Sequence, residues 1–432
     1  MSVSYGGQIP LRTLACRHLA GYQNAYLTRK WQIIEPLSLL SATATMIGQS
    51  CPLPNFRESQ RMSTPETNRR TFIQASAGAA VATAFSTSTA TVFGQENTTV
   101  SQAKEVMVHH EWGTLKEVVC GIPYFTIPTK LPKNVYNYAP TEGIKLFEAN
   151  LGKSLEEADP ELYRKVHTQM DAAVAILEER GVTVHRPEPC TREEQNYLKE
   201  IFPASAIQFY PRDPMVVIGN RFIETGLFFP LRRRERFGIR RALADRLADS
   251  NAEVVSMPPE VPTPEAEDGS WGPGPFLEGG DTFVIGRDIY VGVSGNASNS
   301  AGVHWLQQYL GDEYRVHEVK LAKKFLHLDC CLATPREGLA IICREAFVDG
   351  VPAFIKDWQI IDLPYHEAKE MLGCNGLVLD EKTIMIHIDL PHLGKALREA
   401  GQEVIETPFD AVYQFAGAFR CWHHPLVRES EL

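Results

Sequence analysis

The chain is short of positive charge: 43 Lys and Arg stand against 53 Asp and Glu in 432 residues, a formal net charge of −10. That balance argues against nucleic acid or another polyanion as a partner. No run of about 20 strongly apolar residues is present, so no segment reads as a membrane anchor. The nine cysteines, Cys16, Cys51, Cys120, Cys190, Cys330, Cys331, Cys343, Cys374 and Cys421, lack the paired short spacings of a zinc site or a disulfide framework. Most fall in apolar, strand-like surroundings that bury a thiol as a small hydrophobe. Cys421 is the exception, set among Arg420, Trp422, His423 and His424. What remains, 44% hydrophobic and 22% charged residues, is ordinary globular composition, long enough to bury a large core in one domain or two intimate halves.

The first ninety or so residues are unlike the rest. Arg69 and Arg70, followed by an uncharged Ala/Thr/Ser-rich run from Ala75 to Phe93, have the charged and mildly apolar regions of an export signal, and the paired arginines resemble a twin-arginine signal. Such signals begin chains, so Met62 reads as the natural start. The expected organisation is a non-native extension over 1–61, a twin-arginine-type export signal over 62–94, a linker over 95–105 and a folded catalytic domain over 106–432. Export would deliver the domain to the periplasm, an oxidising compartment where a reactive thiol is ill at ease; a cytoplasmic location is the alternative.

From Val106 onward one pattern returns about five times: an extended apolar run, often a hairpin, then an amphipathic helix, then a short strand. Met215–Ile218 and Phe222–Glu224 flank a Gly219-Asn-Arg turn, with a helix near Arg236–Ala248 and a strand at Ala252–Val255. Phe283–Ile285 and Ile289–Val291 flank Gly286-Arg-Asp, with a helix near Ala301–Leu310. The first unit has its helix near Leu162–Arg180 and the fifth near Pro391–Ala400, while the fourth, around Leu339–Ile342 and Trp358–Asp362, is the least regular. Five such ββαβ-type units predict an α/β fold arranged as a five-bladed, pseudo-symmetric propeller; the same alternation also fits a doubly wound sheet.

Four polar motifs interrupt this pattern, three of them just before or at the start of a hairpin: Tyr210-Pro-Arg-Asp213, Leu277-Glu-Gly-Gly-Asp281, Leu326-His-Leu-Asp329 and Phe419-Arg-Cys-Trp-His423. Prolines around Asp213 disfavour helix, and the two glycines between Glu278 and Asp281 let backbone approach a ligand while two carboxylates converge. A turn aspartate and a plain Gly-Gly turn are the alternatives. His327 and Asp329, one residue apart, would share one face of a strand, where a carboxylate favours the imidazolium and suits the histidine to acid/base work. Singly, a structural histidine or a His-x-Asp metal site is the alternative, although no further His or Cys stands nearby at ligand spacing. Cys421 offers a nucleophilic thiol whose reactive form is the thiolate. Together these groups can hold a planar guanidinium between carboxylates, attack its carbon and protonate the departing amine.

These motifs resemble the guanidino-modifying superfamily of amidinotransferases, arginine deiminases and dimethylargininases over residues 106–429. Glu111-Trp112, Pro211-Arg-Asp213, Gly286–Ile289 through Gly302–Trp305, Leu379–Lys382 and Phe419–Trp422 are most similar to arginine:glycine amidinotransferases. The resemblance implies the five-bladed propeller (pentein) fold, Cys421 as nucleophile, His327 as acid/base, Glu278 as a further catalytic residue, carboxylates for the substrate at Asp213, Glu278 and Asp329, and neither metal nor organic cofactor. Its partners would be a small guanidino substrate and an amine acceptor; a homo-oligomer is compatible. Two departures stand out: the transferases carry Asp at the position of Glu278 and His at that of Arg420. Glu278-Gly-Gly-Asp281 and Pro425-Leu-Val-Arg428 look more like deiminases. Asp281 is a further candidate for the substrate, Arg344 a candidate for a substrate carboxylate unless it is a surface ion-pair arginine, and Asn375 a candidate pocket residue.

Overall fold

A computed structural model describes residues 104–430. The expected N-terminal extension and export signal lie outside the described residues, which all belong to one unit running from Gln95. Among the described residues no helix is long and apolar enough to cross a membrane.

The strands follow in chain order as β1 (Thr114–Cys120), β2 (Thr183–His185), β3 (Met215–Ile218), β4 (Arg221–Glu224), β5 (Glu253–Ser256), β6 (Thr282–Ile285), β7 (Asp288–Val293), β8 (Arg315–Lys320), β9 (Leu332–Arg336), β10 (Leu339–Ile342), β11 (Gln359–Asp362), β12 (Leu377–Asp380), β13 (Thr383–His387), β14 (Glu403–Thr407) and β15 (His423–Glu429). They form five separate three-stranded sheets, ordered β3-β4-β5, β6-β7-β8, β9-β10-β11, β12-β13-β14 and β15-β1-β2. In each, an antiparallel pair is extended by a parallel third strand; the pair is a hairpin in four sheets and the distant β15 and β1 in the other. The α/β class expected from the sequence is therefore observed, and five small sheets replace the single wide one of the doubly wound alternative.

A parallel neighbour requires a crossover, and in four sheets it is a helix: Pro160–Glu179, Glu235–Ala248, Ser300–Leu310 and Pro391–Glu399. The first shows why these segments are helical. Asp159 accepts from the amides of Glu161 and Leu162, Pro160 opens the helix, and Val166, Met170, Ala173 and Leu177 recur on one buried face. In the β9-β10-β11 sheet the crossover contains only the 3-10 turns Arg344–Ala346 and Ala353–Ile355, which explains the weak periodicity there. Gly219 and Gly286, with φ of 56° and 60°, open the two tight hairpins where a side chain would be strained.

Burial gives every sheet a direction. One outer strand of each sheet, β3, β6, β9, β12 or β15, is almost wholly buried, whereas the parallel third strands β2, β5, β8, β11 and β14 are largely exposed or half-buried. The buried strands also meet between sheets, β15 against β3 and β12 against β9. Apolar side chains of β9, β10, β12 and β13 join a core that runs from Trp112 through Leu332, Leu339 and Met385 to Trp422, while those of β3 and β15 pack in smaller clusters that include Met215, Val217 and Leu426.

Candidate active site

The polar motifs occupy one structural position. Asp213 lies just ahead of β3, Glu278 and Asp281 ahead of β6, His327 and Asp329 ahead of β9, Asn375 ahead of β12, and Cys421 ahead of β15. Each is carried into the interior by the most buried strand of its own sheet, so groups scattered over more than 200 residues converge without sharing an element.

One ring nitrogen of His327, an oxygen of Asp329 and the sulfurs of Cys330 and Cys421 lie within 4.8 Å of one another. Nε2 of His327 is 2.9 Å from Glu278, and Nδ1 is 3.7 Å from Asp213. The Cys421 thiol faces both oxygens of Asp329 at 3.5 and 3.4 Å. All of these side chains are buried. Gly279 and Gly280 make the convergence possible: a Cβ on Gly280 would sit 2.6 Å from Nδ1 of His327 and 2.7 Å from Asp213, and one on Gly279 only 2.0 Å from the Arg212 carbonyl oxygen.

Asp213 and Asp329 each hold a guanidinium of the protein itself. Arg232 binds Asp213 at 2.9 Å, donates to the Tyr210 carbonyl, and is held in place by Glu235. Arg420 binds Asp329 at 3.2 Å and Glu111 at 3.1 Å, donates to the carbonyls of Gly280 and Thr282, and stacks 3.8 Å from the Phe283 ring. Buried carboxylates paired in this way avoid the cost of an isolated charge.

Electrostatics follow from the enclosure. Burial pulls the His327 pKa down, but Asp213, Asp281 and its hydrogen-bond partners outweigh it and hold the imidazole well above its ordinary value. Burial pushes the Cys421 thiol well above its usual range, and Cys330 and Asp329 push the same way while His327 opposes them. The arrangement at neutral pH is an imidazolium beside a protonated thiol: the ring has a proton to give, and the thiol would release its own only beside a further cation.

Two of the expected substrate residues brace the site instead. Asn375 accepts from the amides of Ala418, Arg420 and Cys421 and donates to the Asp329 carbonyl and to Cys421 Sγ at 3.2 Å, so its amide fastens the nucleophile's turn. The oxygens of Asp281 accept from the amides of Leu328 and Ser298 and prop the loop that bears His327. Arg344 is not brought to the cluster: its half-exposed side chain pairs with Asp362 at 2.9 Å on the surface, the outcome expected of an ordinary ion pair. The sequence reading passed over Arg232, Glu235 and Cys330, and gave Glu111 and Arg420 no role. The one local signal was Arg232-Arg233-Arg234-Glu235, a charged run immediately after the apolar Leu227–Leu231 segment.

Two donor sets, His327 with Asp329, Cys330 and Cys421, and Asp213 with Glu278 and His327, are compact enough for a cation. In both, the aspartate already faces an arginine.

The family model described as N,N dimethylarginine dimethylhydrolase, eukaryotic, matches residues 132–428. The chain belongs to this family. Among curated relatives it is similar to L-arginine:L-lysine amidinotransferase of Pseudomonas savastanoi pv. phaseolicola, 26% identical over 361 residues that cover 77% of this chain and 97% of that protein. It is also similar to the mitochondrial glycine amidinotransferase of Danio rerio, 23% identical with 76% and 84% of the two chains covered. Among solved structures, SxtG, an amidinotransferase from Microseira wollei in the saxitoxin biosynthetic pathway, superposes with a TM-score of 0.63 at 25% identity, covering 76% of this chain and 98% of that one. Membership of the guanidino-modifying superfamily, expected from the motifs, is thus met.

Proposed function

We propose that this family member is an amidinotransferase that takes the amidino group from arginine or a related guanidino compound and passes it to an amine. The observation that carries this reading is the meeting of the Cys421 thiol, a ring nitrogen of His327 and the Asp329 carboxylate within 4.8 Å. Relatives named as amidinotransferases, aligned along 97% and 84% of their own lengths, support transfer.

A planar guanidinium entering between Asp213, Glu278 and Asp329 brings the positive charge that lowers the Cys421 thiol pKa, so the thiol gives its proton to solvent and Sγ attacks as the thiolate. Sγ then bonds to the guanidinium carbon, and the C–N bond to the leaving amine breaks as His327 delivers its proton to that nitrogen. The product is an amidino-thioether on Cys421 and a free amine. An acceptor amine adds to the same carbon, gives its proton to the now neutral His327, and the C–S bond breaks. Glu278 steadies the imidazolium at the start of the cycle and again when the acceptor's proton restores it. In this reading the five sheets are the blades of a propeller, with their buried strands around its axis and the loops ahead of those strands at one mouth.

Hydrolysis is the second reading, favoured by the family description and by Glu278 at the position where transferases carry Asp. Water would then replace the amine. One assay separates the two: purified protein with arginine, with and without glycine or lysine, following ornithine, the amidinated amine, citrulline and ammonia. Transfer predicts ornithine and the amidinated amine together, and only when an acceptor is present. Citrulline and ammonia regardless of acceptor would replace transfer by hydrolysis.

A further inference from the structure

Cys330 has no part in the chemistry above, yet its sulfur stands within 4.8 Å of the nucleophile's. The two thiols converge on the same Oδ1 of Asp329, at 3.6 Å from Cys330 and 3.5 Å from Cys421. Its neighbour Cys331 turns away, toward the carbonyls of Leu328 and His327 at 3.2 and 3.8 Å. Cys330 ends the short Leu328–Cys330 turn and Cys421 lies in the four-residue Phe419–Trp422 helix, so neither sulfur is fixed by a strand ladder. A disulfide needs about 2.05 Å between sulfurs, so both side chains must rotate inward from this separation.

Cys330 lines a narrow pocket with Tyr138, Leu326, Ala416 and the partly exposed Lys324 and Lys369. Ala416, like Leu372 in the same pocket, adopts a left-handed backbone, φ of 69° and 49°, that a non-glycine residue holds only under constraint from its surroundings.

We propose that Cys330 is a resolving thiol for Cys421, and that a Cys330–Cys421 disulfide, formed by a hydroperoxide, is a reversible inactive form of this protein. The steps balance. The Cys421 thiolate attacks one oxygen of hydrogen peroxide, the O–O bond breaks, and a sulfenic acid and one water result. The Cys330 sulfur attacks the sulfenic sulfur, the S–O bond breaks, and a second water leaves as the disulfide forms. Two electrons pass from the two sulfurs to the peroxide, and a dithiol reverses the change. Without a resolving partner the sulfenic acid goes on to sulfinic acid, which thiols do not restore. Because burial holds both thiols protonated, with Cys330 at about 11, the first step quickens as pH rises. The argument rests on the two sulfurs and is independent of whether transfer or hydrolysis is the activity.

The test uses the full chain, treated with hydrogen peroxide, blocked with N-ethylmaleimide under denaturing conditions, digested and mapped by mass spectrometry. A linked Cys330–Cys421 peptide pair that disappears on dithiothreitol treatment is expected, with Cys331, Cys343 and Cys374 recovered as alkylated thiols. In Cys330→Ser, peroxide should carry Cys421 to sulfinic acid, and dithiothreitol should no longer return its free thiol. Sulfinic Cys421 beside alkylated Cys330 in the unmutated chain, or a bridge from Cys421 to any other cysteine, overturns the proposal. Should the serine variant fail to fold, the map of the unmutated chain alone decides.

Discussion

At the scale of single residues, the charge on Asp329 does two opposed things. Its carboxylate faces the Cys421 sulfur and helps to keep that thiol protonated, yet it is also a partner offered to the guanidinium on which the sulfur must act. Asp329→Asn should therefore separate reactivity from turnover. Removing the negative charge leaves Arg420 facing the sulfur and lowers the thiol pKa, so alkylation of Cys421 by iodoacetamide at pH 7 should speed up about tenfold for each unit the pKa falls. Turnover of arginine should drop by about 100-fold, because a transition-state contact is lost. Slower alkylation in the variant would refute the charge argument. Asp213, Glu278, His327, Asp329 and Cys421 were legible in the sequence because each stands in a polar motif next to an apolar run. Glu111 and Arg420 acquired no role there because they bind each other across 309 residues, and no local pattern announces a partner so distant. Asn375 and Asp281 were placed in the right neighbourhood, and only the geometry shows which of their atoms are already engaged.

At the scale of elements, the turn before β6 shows how a loop can be chosen for its thinness. Neither Gly279 nor Gly280 has a left-handed backbone, so neither is glycine for conformational reasons. They lack side chains because other groups fill that space: the Arg212 carbonyl for one, His327 and Asp213 for the other. The two sites should respond differently to the same added methyl. Gly280→Ala pushes on side chains that can move by a few tenths of an ångström, so the variant should fold while losing most of its turnover as His327 is displaced. Gly279→Ala meets backbone at 2.0 Å and should lower the melting temperature by several degrees, equivalent to about 1–3 kcal/mol. Thermal melts and turnover measured on both proteins would show whether the costs fall in this order; equal loss of stability in the two would not fit. The regular helices were legible to within a residue or two from apolar spacing and caps. The crossover before β11 was not, because two 3-10 turns carry no sustained period for a sequence to display.

At the scale of the whole molecule, the fold closes by bringing its last strand to its first. β15 lies antiparallel to β1, with Val118 opposite Pro425 and Cys120 opposite His423, completing a sheet whose third strand, β2, comes from the early part of the chain. The repeats were legible because each is built from local signals, a hairpin turn and an amphipathic helix. This closing pair was not, because its partners are some 300 residues apart and neither strand names the other. Chemistry and closure share one segment: the Cys421 amide is tied to Asn375 ahead of β12, and the strand that follows the nucleophile seals the sheet around β1. Deleting residues 423–432 should therefore remove more than a surface strand. It strips the buried partner from β1, removes Leu426 and so exposes Val119, Met215 and their apolar neighbours, and frees the turn that carries the thiol. The truncated chain should show no cooperative thermal transition by circular dichroism and should bind the dye ANS, whereas deleting only the last two residues should leave the melt unchanged. A sharp, unshifted melt in the longer deletion would mean that the remaining four sheets hold the molecule together without the fifth, and that the pairing of the chain's ends is incidental to its stability.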